Sequence, residues 1–256
     1  MAGRSFDSAF VQNKANGFVL NSAPLRMTAT GRGFDMIGKI TAITRQKGDK
    51  LRASIFIEEE FAVGVNEQTI EEFRLRKGDY IDADKADKIL DFDYWIDAKR
   101  VSLRYLNHRS RSEKEIRERL HKEEIPEEII TRVLEFLRGY DLVNDEKWSR
   151  AFANDKLGRK LISSRQLAVE LRQKGIDQSI IDETLKEVNR QQTDEDRAME
   201  AAKKRWPRLE KELPQKRKQK MYSFLAGRGF SFDVIKSTYQ KLSGVESDEV
   251  EESFGE

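Results

Sequence analysis

Between about Ile37 and Val65, apolar and polar positions alternate. Ile40, Ala42 and Thr44 share one parity. Leu51, Ala53, Ile55 and Ile57 then alternate with Arg52, Ser54 and Phe56, and Phe61, Val63 and Val65 follow. A period of two puts one set of side chains on one face of a strand. Lys47-Gly48-Asp49 and Glu58-Glu59-Glu60 separate the three runs and read as turns. The pattern predicts a three-stranded antiparallel meander, which needs cover on its apolar face. Asn66 is placed to cap a short covering helix that carries Ile70 and Phe73, with Lys77-Gly78-Asp79 ending it.

From about Ala83 onward the spacing is helical, and it repeats. Ser112, Ile116, Leu120, Ile125, Ile129, Ile130, Val133 and Leu134 align with Ser163, Leu167, Leu171, Ile176, Ile180, Ile181, Thr184 and Leu185, 51 residues on. A weaker third copy, 54 residues further, runs Met221, Leu225, Phe230, Val234, Ile235, Thr238 and Tyr239. Ser112 with Glu115, and Ser163 with Gln166, have capping-box spacing. Gly175 and Gly229 share one repeat position, where a helix ends in a left-handed residue; Glu124 holds that place in the first copy and predicts a less ideal end. Asp177 and Ser231 then start the next helix, with Pro126 in their place in copy one. A further helix precedes each pair, marked by Val101, Leu103, Tyr105 and Leu106, by Trp148, Phe152 and Leu157, and by Ala201, Ala202, Trp206 and Leu209.

The fold class expected is mainly α: tandem three-helix repeats in an elongated, curved array, preceded by the small antiparallel meander with its short helix. The expected division is a flexible extension over 1–36, the meander over 37–82, a linker helix and repeat 1 over 83–145, repeat 2 over 146–196, repeat 3 over 197–244, and an acidic tail over 245–256.

Composition sharpens this picture. Charged residues reach 37%, against 38% hydrophobic, with only 4 prolines and 15 glycines. That balance suits short amphipathic helices that each bury one stripe. The absence of cysteine excludes disulfides, thiol catalysis and cysteine-ligated metals within this sequence. No run is long and apolar enough for a membrane span, and no signal peptide is evident; the expectation is a cytoplasmic protein.

Net charge is +2, but the last twelve residues hold six acids and no base, leaving +8 elsewhere. Residues 98–111 carry Lys99, Arg100, Arg104, Arg109 and Arg111 with no acid. Lys156, Arg159, Lys160, Arg165, Arg172 and Lys174 face only Glu170, and residues 197–220 hold ten bases, Arg197 among them, against three acids. These groups fall in the first helix of each repeat and the loop after it. If the repeats stack in register, they form a basic stripe suited to nucleic acid or an acidic protein; a merely solvated charged surface is the plainer reading. The candidate binding residues are Arg100, Arg104, Arg109, Arg159, Lys160, Arg165, Lys204, Arg205 and Arg217, chosen by charge and phase. Trp148 and Trp206 are expected in the core, and Trp95 as a packing residue between meander and array. His108 and His121 lack ligand spacing, and Gly31-Arg32-Gly33 and Gly227-Arg228-Gly229 do not continue as phosphate loops. No catalytic residues, metal or cofactor are expected, and the chain reads as a non-enzyme.

The stretches SEKEIRERLHKEEIPEEII, LRGYDLVNDEKWSRAF and RQLAVELRQKGID resemble the RecX regulatory family, in which a first repeat ends in a Leu-(Ile/Val)-(Asn/Asp)-Asp element and the next helix opens with an aromatic residue and an alanine. ITAITRQKGDKLRASIFIEEEFAVGV and FRLRKGDYI are similar to the N-terminal extension of its longer Firmicute members. The likeness spans roughly residues 37–245 and is weakest in the third copy. It implies a modulator of the RecA recombinase filament that acts in DNA repair, recombination and the SOS response. It would lie in the filament groove and inhibit strand exchange, ATP hydrolysis and repressor cleavage. The expected partners are the RecA filament and single- or double-stranded DNA, with no membrane, and the chain is expected to be a monomer. The alternative is a DNA-binding protein that acts through its bases without touching RecA.

Overall fold

The computed structural model describes residues 36–244; the expectations for the N-terminal extension up to residue 35 and for the acidic tail lie outside them. The chain forms two compact units that divide between Asp93 and Tyr94.

The first unit is a four-stranded antiparallel sheet with two helices. Strands β1 (Gly38–Arg45), β2 (Arg52–Ile57), β3 (Glu60–Asn66) and β4 (Tyr80–Ile81) lie in the order β3-β2-β1-β4. The meander is present, and the short β4 adds a fourth strand by pairing Ile81 with Gly38 and Tyr80 with Lys39. A bulge between Ile40 and Ala42 breaks the expected parity of β1. Beyond it Ile43, rather than Thr44, packs on the core of Ile40, Ile55, Ile57, Val65 and Ile81. Leu51 precedes its strand and is exposed. Glu58 and Glu59 both take left-handed φ angles, +49° and +72°, in the tight β2–β3 turn.

Helix α1 (Glu67–Glu72) ends at Phe73, before Lys77-Gly78-Asp79, which instead turns the chain into β4. Asn66 stands at its N-cap position, but its side chain makes no cap. Its amide donates to the carboxylate of Asp93 at 3.0 Å, which also accepts from Asn66 N at 2.6 Å and Thr69 Oγ1 at 2.6 Å. Asp93 lies in helix α2 (Ala83–His108), so one buried carboxylate ties α1 to α2. Phe73 meets Phe92 edge-on at 5.7 Å.

The second unit holds three tandem three-helix repeats. Repeat 1 uses the latter half of α2 with α3 (Glu113–Lys122) and α4 (Glu127–Gly139). Repeat 2 is α5 (Asp145–Arg159), α6 (Ser164–Gln173) and α7 (Gln178–Gln191). Repeat 3 is α8 (Asp194–Arg205), a 3-10 turn over Trp206–Arg208, α9 (Pro214–Ala226) and α10 (Phe232–Ser243). The phased apolar positions are the cores: Ile116, Leu120, Ile130, Val133 and Leu134 in the first repeat, Leu167, Leu171, Ile176 and Ile181 in the second, and Met221, Leu225, Phe230 and Ile235 in the third.

The caps explain where these helices begin. Ser112 and Glu115 form a complete capping box, whereas at Ser163 the hydroxyl accepts from Gln166 N without the reciprocal bond. Glu124, Gly175 and Gly229 all take positive φ, at +57°, +78° and +83°. Trp148 is buried and stacks on Phe152 at 4.9 Å. Trp206 lies in the core of repeat 3 against Tyr239, and Trp95 meets Phe136 edge-on at 5.5 Å within repeat 1.

Candidate interaction surface

Two short sequence elements join successive repeats. In the first, Asn144 caps α5 by accepting from Lys147 N at 3.0 Å, while the adjacent Asp145 reaches back to accept from Glu113 N at 3.0 Å and so caps α3. One repeat later, Thr193 caps α8 and Asp194 accepts from Ser164 N at 2.9 Å. An Asn/Thr-Asp pair thus fixes the start of its own helix and anchors that helix to the repeat before it. Burial pushes the Asp145 carboxyl above its ordinary range, although the Glu113 amide opposes this.

The second element is the left-handed turn. Its carbonyl or glycine sits on the N-cap serine of the preceding repeat: Ser112 Oγ donates to Lys174 O at 2.8 Å, and Ser163 N donates to Arg228 O at 3.0 Å. A Cβ at Gly175 would stand 2.5 Å from the Lys114 side chain, and one at Gly229 would stand 2.7 Å from Ser163 Oγ. Both glycines therefore serve close approach as well as backbone sign.

The two junctions differ in charge. At the first, Glu115 receives Lys174 at 2.9 Å and Arg109 at 2.9 Å. Burial works against ionisation there, but these two hydrogen-bonded cations outweigh it and hold the Glu115 carboxyl down at about 2. At the second, Gln166 occupies the position of Glu115 and Arg228 that of Lys174. The lysine–glutamate pair thus has no counterpart in the second junction.

The nine candidate bases fall into distinct situations. Arg100 donates to Asp97 at 2.6 Å, Arg159 pairs with Asp155 at 2.9 Å and Lys204 with Glu200 at 2.7 Å; Arg109 belongs to the Glu115 cluster. Arg217 donates to the carbonyls of Leu209, Glu210 and Glu212 and holds the loop between α8 and α9 while lying over Trp206. Arg205 lies over the Phe224 ring. Arg104, Lys160 and Arg165 have no carboxylate within ion-pair distance among the described residues; Lys160 and Arg165 are exposed and Arg104 is half-buried. Lys160 stands at the repeat position of Arg109, each just past the first helix of its repeat.

Arg197, counted with the basic cluster in sequence, is fully buried. Its guanidinium donates to Ile162 O at 3.1 Å, Ser164 Oγ at 2.8 Å and Asn189 Oδ1 at 3.0 Å, and also to Gln192 O and Asp194. It is a brace between repeats 2 and 3. Arg228, absent from the candidates, joins Arg205 on Phe224; repeat phasing with Lys174 was the signal that could have found it.

Among the described residues there is no cluster of His, Asp and Glu suited to a metal, and no helix long and apolar enough to cross a membrane.

Comparison with known proteins decides the family. Residues 38–82 match the regulatory protein RecX N-terminal domain, and residues 98–137, 144–185 and 193–238 match the first, second and third RecX three-helix domains. A regulatory protein RecX of Clostridioides difficile strain 630 is 34% identical over 206 residues, covering 80% of this chain and 96% of that one. The chain belongs to the RecX family. A regulatory protein RecX of Clostridium acetobutylicum is 32% identical over 79% of this chain and 95% of its own. A crystal structure of a regulatory protein RecX superposes with a TM-score of 0.58 at 29% identity, covering 80% of this chain and all of the other. These relatives are named as regulatory proteins, not enzymes. Within the family frame, Leu-Val-Asn-Asp at 142–145 acquires a physical reading: Val143 is buried, Asn144 caps α5, and Asp145 caps α3.

Proposed function

We propose that this RecX chain is a monomeric cytoplasmic protein that binds the RecA–DNA filament and inhibits its recombinase, ATPase and coprotease activities. The observation that carries this reading is the pair of equivalent repeat junctions. Each repeat meets the next through the same positions, so groups placed just after each first helix, such as Arg109 and Lys160, recur in register. A ligand that is itself a repeating polymer suits such recurrence. Exposed ion pairs such as Arg159–Asp155 and Lys204–Glu200 contribute little to stability and exchange readily for a partner's carboxylates. The test is ATP hydrolysis by RecA on single-stranded DNA, titrated with the full chain. Hydrolysis is expected to fall as the protein approaches stoichiometry with RecA, and an unchanged rate at that ratio refutes the reading.

A second reading, binding to DNA without RecA contact, draws on Arg104, Lys160 and Arg165, whose charges have no carboxylate within ion-pair distance among the described residues. Affinity resting on phosphate contacts falls steeply with salt. Replacing Arg104, Lys160 and Arg165 by alanine should weaken DNA binding and flatten that dependence. If it abolishes RecA inhibition while DNA affinity stays constant, the residues serve RecA contact instead.

A further inference from the structure

We propose that Arg205 and Arg228, gathered on the Phe224 ring beside the junction of repeats 2 and 3, form a binding site for a phosphodiester of DNA. The inference rests on the DNA-binding reading and names a site for it. Arg228 lies 3.7 Å and Arg205 5.5 Å from the centre of Phe224. The Nε atoms of both are buried and have no hydrogen-bond partner among the described residues. Neither guanidinium has an ion pair with a carboxylate among the described residues, and Arg228 spends one bond on Phe224 O at 3.3 Å. Burial, and then the charge of Arg205, both disfavour the ionised form of Arg228. Two like charges held on one ring, on side chains that are only half-buried, is a costly arrangement that an anion at their terminal nitrogens relieves.

The neighbouring junction shows what a neutralised version looks like. There the equivalent lysine, Lys174, is met by Glu115. Here Gln166 replaces that acid, and its Cβ would lie 2.8 Å from a Cβ built at Gly229, next to Arg228. The same first turn of α6 carries Arg165, exposed and without a carboxylate partner among the described residues. Planar guanidinium forks bind phosphate oxygens two at a time. The preference for a polymer phosphate over a single protein carboxylate comes from the surroundings: Lys203 of α8, Arg208 and Lys211 of the stretch after it, and Lys216 of α9 are all exposed. Extended basic surface of this kind suits a linear polyanion.

The experiment is fluorescence anisotropy of a labelled single-stranded oligonucleotide, titrated with the full chain without RecA across about 50 to 300 mM salt. The variants are R205Q/R228Q, Q166E and, as a control for bulk charge, R190Q at an exposed arginine in the last turn of α7; far-UV circular dichroism checks folding. R205Q/R228Q should weaken binding roughly tenfold at low salt and reduce the log–log salt slope by about 1 to 2. Q166E rebuilds the acid of the first junction and should weaken binding in the same direction with the fold intact, so it decides the matter if the double variant fails to fold. R190Q should bind as the parent does. Parent-like binding by both R205Q/R228Q and Q166E overturns the site, as does an equal loss in R190Q. If DNA affinity holds in R205Q/R228Q but inhibition of RecA ATP hydrolysis is lost, the anion is a protein carboxylate and the phosphodiester assignment is wrong. A parent chain that does not bind the oligonucleotide defeats the DNA reading as a whole, whereas a binding parent with unaffected variants defeats this site alone.

Discussion

Glu124 marks the point where the repeats stop being equivalent. It takes the same left-handed turn as Gly175 and Gly229, at φ +57°, but carries a side chain there. The glycines also pack against the repeat before them, and repeat 1 has no such predecessor, so the demand for close approach is lifted while the backbone strain remains. Left-handed backbone costs a non-glycine residue about 1 kcal/mol. Glu124→Gly should therefore stabilise the fold by about 0.5 to 1 kcal/mol in urea unfolding. Gly229→Ala should destabilise it by about 1 to 3 kcal/mol, because strain and overlap with Ser163 combine. Glu115 supplies a pH dependence. Its folded pKa is about 2, below the usual carboxylate value, so its contribution is present above the unfolded value and is lost as pH falls through the folded one. Stability should decline between about pH 5 and 2, and Glu115→Gln should flatten that decline in thermal melts taken across the range.

At the level of elements, junction and cap are one device. The residue pairs that open α5 and α8 close their own helix with one side chain and a helix of the preceding repeat with the next, so helix order and repeat order are set by adjacent residues. Much of this is legible in the sequence alone. Ser112 with Glu115, Ser163 with Gln166, and the phased glycines are local signals whose chemistry acts over three or four residues. Arg197 was not legible: an arginine among nine other bases reads as solvated, and only its tertiary setting buries it. Its guanidinium reaches acceptors on α6, α7 and α8 and in the loops that precede α6 and α8. Removing a fully buried, fully bonded cation leaves those acceptors and Asp194 unmatched. Arg197→Met should cost about 3 kcal/mol or more in chemical denaturation. Arg197→Lys should recover little of it, because an ammonium cannot span the same fork of acceptors.

Across the whole molecule, period gave the repeats and the meander their identity, and what escaped was whatever depends on pairing between distant segments. The β1 bulge shifts Ile43 inward in place of Thr44, and β4 is only two residues long, too short for any alternation to show. For the candidate surface, charge and phase located the bases but could not tell Arg217, spent on three carbonyls, from Lys160, which has no carboxylate partner among the described residues. Nor could they tell the neutralised junction from the charged one, a difference that turns on Glu115 against Gln166. The linkage between repeats also bears on how stability is distributed. Arrays in which each repeat is bonded chiefly to its neighbours open from a weakened joint outward. With Arg197 and Asp194 serving only the second joint, Arg197→Met should raise amide hydrogen exchange in α8, α9 and α10 and at the start of α6. The amides of α3 and α4, held by Asp145 and the Ser112–Lys174 contact, should keep their protection. A uniform rise across all three repeats would mean that the second unit unfolds as one cooperative block and that its joints are not separable.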